Sequence, residues 1–197
     1  MKRSGLIILA ILAVLVIWGI STQRGLVGLD EGVNKSWNDL QASYQKRLDQ
    51  VAQQVEVVKG AAKFEQETLT KVIEARSKAT SITMETKDAT PENIEKFRKM
   101  QDQVNSEMKG ALSRLLVTVE QYPNLKANEN FQKLQMSIES LENEVGGDRK
   151  GFNEQIRVYN TKVRSFPASI LASMFGFKVK EGFKADPEAS KRPEIKL

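Results

Sequence analysis

The sequence contains neither cysteine nor histidine. Those two absences remove disulfides, thiol nucleophiles, thiolate zinc sites and imidazole acid–base chemistry together. Proline is scarce, at five of 197 residues, so long helices are seldom interrupted. No stretch alternates apolar and polar residues with period two, so no sheet is expected. Phosphate loops, dinucleotide fingerprints and nucleophile elbows are missing. A carboxylate-bridged metal site in a helical bundle needs inward Glu residues completed by Glu-x-x-His. Glu65, Glu142 and Glu144 are available, but no histidine completes the set. Neither a metal nor a cofactor is therefore expected, and no catalytic residue can be named.

Charge of one sign is also lacking over most of the chain. The formal net charge of +5 comes from Lys2, Arg3 and Arg24 and from the last twenty residues. Residues 25–177 balance to zero. A nucleic-acid reader would carry a basic face on its folded body, so nucleic acid is not an expected partner.

What is present begins with "LIILAILAVLVIWGI", Leu6 to Ile20, inside a stretch from Ser4 to Gln23 without a charge. As a helix, such a stretch spans about 30 Å, the thickness of a bilayer core. Trp18 falls where an interfacial aromatic would sit. Residues 1–24 read as a membrane anchor; a cleaved signal peptide is the alternative, with Gly19 and Ser21 as its small residues. Lys2 and Arg3 on one side, against Arg24 and Lys35 on the other, place the body on the exported side by a narrow margin. A cytoplasmic body is the alternative.

Gly25, Gly28 and Gly32 suggest a hinge over 25–32. From Val33, apolar residues recur at helical spacing through Trp37, Leu40, Tyr44, Leu48, Val51, Val55 and Val58, giving a long amphipathic helix over 33–80. Thr90 and Pro91 open a second helix with a capping residue and a first-position proline. A third runs from Phe131 through Leu134, Ile138, Leu141, Val145, Phe152, Ile156, Tyr159 and Val163 to Phe166. Its spacing averages about 3.5 residues, the period of a bundle seam. Asp148, beside Gly146 and Gly147, is the poor position in that seam, and a weakened turn is expected there. Pro167 ends the helix. "ASILASMFGF", 168–177, suits a short apolar helix. The Lys-, Glu- and Pro-rich 178–197 reads as a disordered polar tail.

The architecture expected is all-α: a transmembrane helix, then an elongated antiparallel bundle over 33–177 of three long helices and a short C-terminal one. Helix lengths would turn the corner "YPNLKANENF", 122–131, toward the membrane and put 168–177 at the far end. In that corner Pro123 forces Tyr122 out of helix, Asn128 caps the third helix, and Leu125 and Phe131 pin the loop to the core.

The same residues resemble the LemA family of bacterial membrane-anchored proteins over nearly the whole chain. The likeness is carried by "VNKSW" with Trp37, "VVKGAAKFEQETL" with Lys59, Gly60 and Glu65, and "EAR" with Arg76. It continues in "YPNLKANENFQKLQ", with Tyr122, Pro123, Leu125, Lys126, Asn128 and Phe131. "FNEQIRVYN", with Asn153, Tyr159 and Asn160, and "FPASILASMFGF", with Phe166 and Pro167, complete it. The resemblance implies one N-terminal membrane helix, a helical bundle, no established enzymatic activity and an N-terminus outside, against the charge margin. This chain departs from the family pattern at Phe64, where histidine is common, at Ala52, where proline is common, and at "VGGDR" with Arg149.

Arg76, Arg149, Asn153 and Asn160 are the polar residues near the seam. Asn153 and Asn160 are seven apart and share a face. They form either a polar recognition stripe or hydrogen bonds that set helix register. Three functions remain open: a non-enzymatic scaffold or docking protein of the envelope, a membrane-shaping protein, and a hydrolase with an unrecognised site. Partners expected are the membrane through 4–23, other envelope proteins and a second copy of the chain. Ile170, Leu171, Met174, Phe175 and Phe177 are the candidate docking residues.

Overall fold

The computed structural model describes residues 3–61, 70, 73, 74, 77, 88–120 and 129–183. Four helices organise these described residues: α1 (Arg3–Ala61), α2 (Pro91–Glu120), α3 (Glu129–Arg164) and α4 (Ala168–Met174). Among the described residues there is no strand. The all-α bundle with one long apolar N-terminal helix is as expected.

The character of α1 changes along its length. From Leu6 to Ile20 its large apolar side chains are exposed on every side. A helix that is apolar all round and uncovered is a membrane span. Beyond it only one stripe is apolar: Leu26, Val33, Trp37, Leu40, Tyr44, Leu48, Val51 and Val55 are buried. Steps of three, four and seven keep that stripe on one face.

The stretch 25–32 corrects the expectation of a hinge: it is helical throughout. The reason is external support. Leu26 is fully buried and Leu29 packs on the core. Asp30 pairs with Lys180 at 2.8 Å. Gly32 serves close approach to α3, because a Cβ there would meet Gln155 Oε1 at 3.2 Å. Ala52 is buried within the same unbroken helix.

Thr90 caps α2, its Oγ1 accepting the Asn93 N–H at 3.1 Å, and Pro91 takes the first helical position. Helix α3 continues through Gly146, Gly147 and Asp148 without a break. Phe131, Leu134, Leu141, Val145, Phe152, Ile156, Tyr159 and Val163 are its buried residues. The seam stops there: Phe166 is 82% exposed, beyond the helix end, joined to Pro167 by a cis peptide bond.

Helix α3 runs against α1. Gln54 bonds Ser137 at 2.8 Å, Lys46 bonds Glu144 at 2.7 Å, and Arg149 donates to Tyr44. Helix α2 runs with α1 and against α3. Phe97, near its start, packs on Trp37 at 4.9 Å and Tyr44 at 5.4 Å. Met108 and Leu112, further on, share a groove with Arg47, Phe131 and Ile138.

This order corrects the expected layout. Helix α2 begins level with Trp37, so the chain has come back toward the membrane before Pro91. One long helix over 33–80 would have left Pro91 at the far end. Helix α3 therefore descends, and α4 lies at the membrane end of the bundle. The expectation for 122–128 lies outside the described residues.

A second correction concerns the tail. Residues 177–183 run extended along α3, from the membrane end upward, and Phe183 enters the core. The part of 178–197 beyond residue 183 lies outside the described residues.

Candidate functional site

Asn153 and Asn160 project from one face of α3, seven residues and about 10.5 Å apart. Each grips one residue of the extended segment through both ends of its side-chain amide. Asn160 Nδ2 donates to the Lys180 carbonyl at 2.7 Å, and its Oδ1 accepts the Lys180 N–H at 2.9 Å. Asn153 does the same to Phe183, at 2.8 Å in both directions. Three residues of extended chain cover about 10 Å, so the two spacings match. The Tyr159 hydroxyl adds a bond to the Lys178 carbonyl at 2.9 Å. These are bonds to backbone, and they treat the segment as a strand would treat its neighbour. Both sequence readings of the asparagines need amending. The stripe does recognise something, but its ligand is the chain's own strap, not another helix.

The strap's side chains fix its register. The Phe183 ring packs edge-on to Phe152 at 6.0 Å and to Phe97 at 6.5 Å. The Arg149 guanidinium lies between the Tyr44 and Phe183 rings, 5.4 Å from each centroid, while hydrogen-bonding the Tyr44 hydroxyl. Burial pushes the Tyr44 phenol up from its ordinary pKa, with Arg149 opposing. Burial and the nearby Asp30 carboxylate push Tyr159 up to about 12. Lys180 stacks over the Tyr159 ring at 5.3 Å while pairing with Asp30.

Other expected residues fall elsewhere. Trp37 is fully buried between Phe97 and Phe152. Phe131 is buried at the start of α3. Lys59 and Gly60 lie in the last turn of α1. Glu65, Arg76, Tyr122, Pro123, Leu125, Lys126 and Asn128 lie outside the described residues. Glu142 and Glu144 are not poised for metal: Arg47 holds the first at 3.2 Å and Lys46 the second at 2.7 Å. Among the described residues no cluster could hold a metal ion. A groove of about 630 Å³ opens between α2 and α3, lined by Met108, Leu112, Phe131, Leu134 and Ile138.

Of the candidate docking residues, Leu171 and Phe177 are half-buried, with Phe177 packed against the core. Ile170, Met174 and Phe175 are exposed, as is Phe166. The strap itself was missed in the sequence. Its one signal was Gly182-Phe183, a small residue and an aromatic in an otherwise polar tail. A Cβ at Gly182 would sit 3.1 Å from Asn153 Cγ, so glycine lets the strap close on the asparagine.

Residues 36–197 match the LemA family profile, which takes in the bundle, α4 and the strap. The chain belongs to the LemA family. It is 26% identical over 133 residues to Protein LemA of Metamycoplasma hominis, covering 68% of this chain and 55% of that protein. It is 32% identical over 77 residues to magnetosome protein MamQ of Magnetospirillum gryphiswaldense, covering 39% of this chain and 28% of that protein. A MamQ of Paramagnetospirillum magneticum matches over the same length at 31%. The LemA-family chain thus spans from 28% to 55% of the length of these relatives.

Proposed function

We propose that this LemA-family protein is a non-enzymatic, membrane-tethered helical scaffold that docks other proteins of the bacterial envelope. The carrying observation is the continuity of α1. One 59-residue helix supplies both the membrane span and the central stripe of the bundle core. A partner bound to the bundle would be coupled rigidly to the span, because α1 is helical from one into the other and no loose joint intervenes. The strap supports a structural role for these polar residues of α3, since Asn153, Asn160 and Arg149 are all engaged within the chain.

The test is cross-linking in native membranes, followed by extraction into lipid nanodiscs. Envelope proteins should be captured through bundle residues such as those of the α2–α3 groove, and capture should fall when Leu112→Glu or Ile138→Glu blocks it. A membrane-shaping role is the second reading, favoured by the exposed α4 face at the membrane end. Tubulation of vesicles by the pure protein, with no captured partner, would replace the scaffold reading with that one.

The bundle's side of the membrane is part of the proposal. The fold brings Lys162, Arg164 and Lys178 to the level of Arg24, all exposed. Those cations fit the cytoplasmic leaflet, with its negative surface potential, better than the exported side favoured by the span's flanking charges alone. A membrane-impermeant maleimide should leave Ser140→Cys unlabelled in intact cells.

A further inference from the structure

Helix α4 has two unlike faces. Ala168 and Ala172 are buried against α1 and α3. Ile170 and Met174, two positions round the helix from them, are 55% and 73% exposed. Phe166 before the helix and Phe175 after it are exposed as well, at 82% and 54%. Four large apolar side chains grouped on the outside of a short helix call for a covering surface.

The fold says which surface is there. Gln155 lies level with Gly32 of α1. Nine residues further along an antiparallel helix, Arg164 is level with about residue 23, at equal rise per residue. Helix α4 follows at once, and the first buried residue of α1 is Thr22. The span's apolar girdle, with Trp18 and Ile20 at its upper edge, is therefore immediately below α4. The exposed side of α4 thus lies at the level where the uncovered apolar surface of α1 begins. Exposed Arg24, Lys162, Arg164 and Lys178 lie at that end; further toward the bundle Asp30 is paired with Lys180, with Glu31 and Glu181 exposed beside them.

We propose that α4 is an interfacial helix, with Phe166, Ile170, Met174 and Phe175 seated in the headgroup–acyl boundary of the bilayer that α1 crosses. The four cations then meet anionic headgroups, as in other interfacial helices with apolar undersides and basic rims. Trp18, Phe166 and Phe175 occupy the depth where aromatic side chains gather. The strap draws α4 tight: it leaves the helix through Gly176, at φ +79°, and is clamped to α3 within seven residues. One span would leave the bundle free to rotate about the membrane normal and to tilt. A second contact beside it removes the tilt. The inference rests on the membrane-tethered reading, and it adds that the bundle is held upright by its own C-terminal region.

The absence of cysteine makes the test direct, because each introduced cysteine is unique. Full-length chains carrying Leu12→Cys, Ile170→Cys, Met174→Cys or Ser140→Cys would be nitroxide-labelled and reconstituted in vesicles containing phosphatidylglycerol. Collision rates with oxygen and with a water-soluble nickel chelate give depth. Labels at 170 and 174 should favour oxygen over nickel, less strongly than at 12, and the label at 140 should favour nickel. Replacing the anionic lipid with a neutral one should move the labels at 170 and 174 outward. Water-like collision rates at 170 and 174, with residue 12 in hydrocarbon, would overturn the interfacial helix and leave the tether standing. Water-like rates at 12 would remove the tether and the inference together. Shielding of 170 and 174 from both reagents would mean that protein covers the face, and would also overturn it. Ile170→Ser/Met174→Ser alters only exposed side chains. It should keep the helical circular dichroism spectrum while raising nickel access at a label on Ser173→Cys.

Discussion

Asn160 and Lys180 exchange two hydrogen bonds, side-chain amide to backbone, at 2.7 and 2.9 Å across twenty residues of chain. With the matching pair at Asn153 and Phe183, this turns a helix face into the docking edge for an extended strap. Replacing Asn160 with Ala removes one partner from a half-buried backbone pair and should cost about 1–3 kcal/mol. The amide protons of Lys180 and Phe183 should lose hydrogen-exchange protection before those of α1 do. Unchanged protection at Lys180 would show that the clamp does not hold the strap.

Phe152 is fully buried, 5.2 Å from Trp37 and 6.0 Å from Phe183. It links α1, α3 and the strap in one aromatic group that also includes Phe97. Phe152→Ala should destabilise by about 3–5 kcal/mol, the range for truncating a buried aromatic. Chemical denaturation should show the strap and the long helices losing structure together. A midpoint unchanged within error would undo the register assigned to α3.

Gln101 presents the opposite case. It is buried on α2, and among the described residues neither its Nε2 nor its Oε1 has a hydrogen-bond partner. An orphaned buried amide opposes folding, and an apolar side chain of similar shape does not. Gln101→Met should therefore stabilise the bundle by about 1–2 kcal/mol. A loss of stability in denaturant melts would mean that the amide is satisfied.

The sequence made the elements legible where period and burial coincide. The buried positions of α3 follow the seam of Phe131, Leu134, Leu141, Val145, Phe152, Ile156, Tyr159 and Val163. The span and the α2 cap were likewise plain, because length, Thr90 and Pro91 are local signals. The order of the helices in space was not legible. Amphipathic period says which face is inward but not where a chain turns, and the expected layout had α3 ascending and α4 at the far end; most of 62–87 lies outside the described residues. The polar strap was hidden for another reason. Its affinity lies in its backbone, whose hydrogen-bonding groups are the same in every sequence. Only Phe183 and Gly182 marked it.

The glycines of 25–32 follow from that same limit: composition suggested a joint, and tertiary contacts made a helix. A Cβ at Gly25 or Gly28 would meet nothing within 4 Å. Replacing either with Ala should stabilise α1 by about 0.5–1 kcal/mol, because Gly loses more backbone freedom in a helix. Both variants should also keep partner capture in native membranes. Loss of capture without loss of stability would restore the hinge as a working part.

Tyr159 gives the strap a pH dependence of definite sign. Its phenol is pushed up to about 12 by burial first and by Asp30 second, against about 10 in an unfolded chain. The folded state therefore keeps its proton more tightly. The stability linked to Tyr159 is complete below pH 10 and is lost as pH rises from 10 through about 12. Below pH 10 the neutral hydroxyl donates to the Lys178 carbonyl, so Tyr159→Phe should be less stable near neutrality by about 0.5–1.5 kcal/mol. The variant has no phenol to ionise, so its stability should fall less steeply above pH 10. The gap between the two proteins should narrow between pH 9 and 11 in parallel urea titrations. Tyr44, raised by burial and unaltered in both, contributes equally and drops out of the difference. A gap that stays constant across that range would show that the Tyr159 hydroxyl titrates alike in the folded and unfolded chains, and that the strap leaves it open to water.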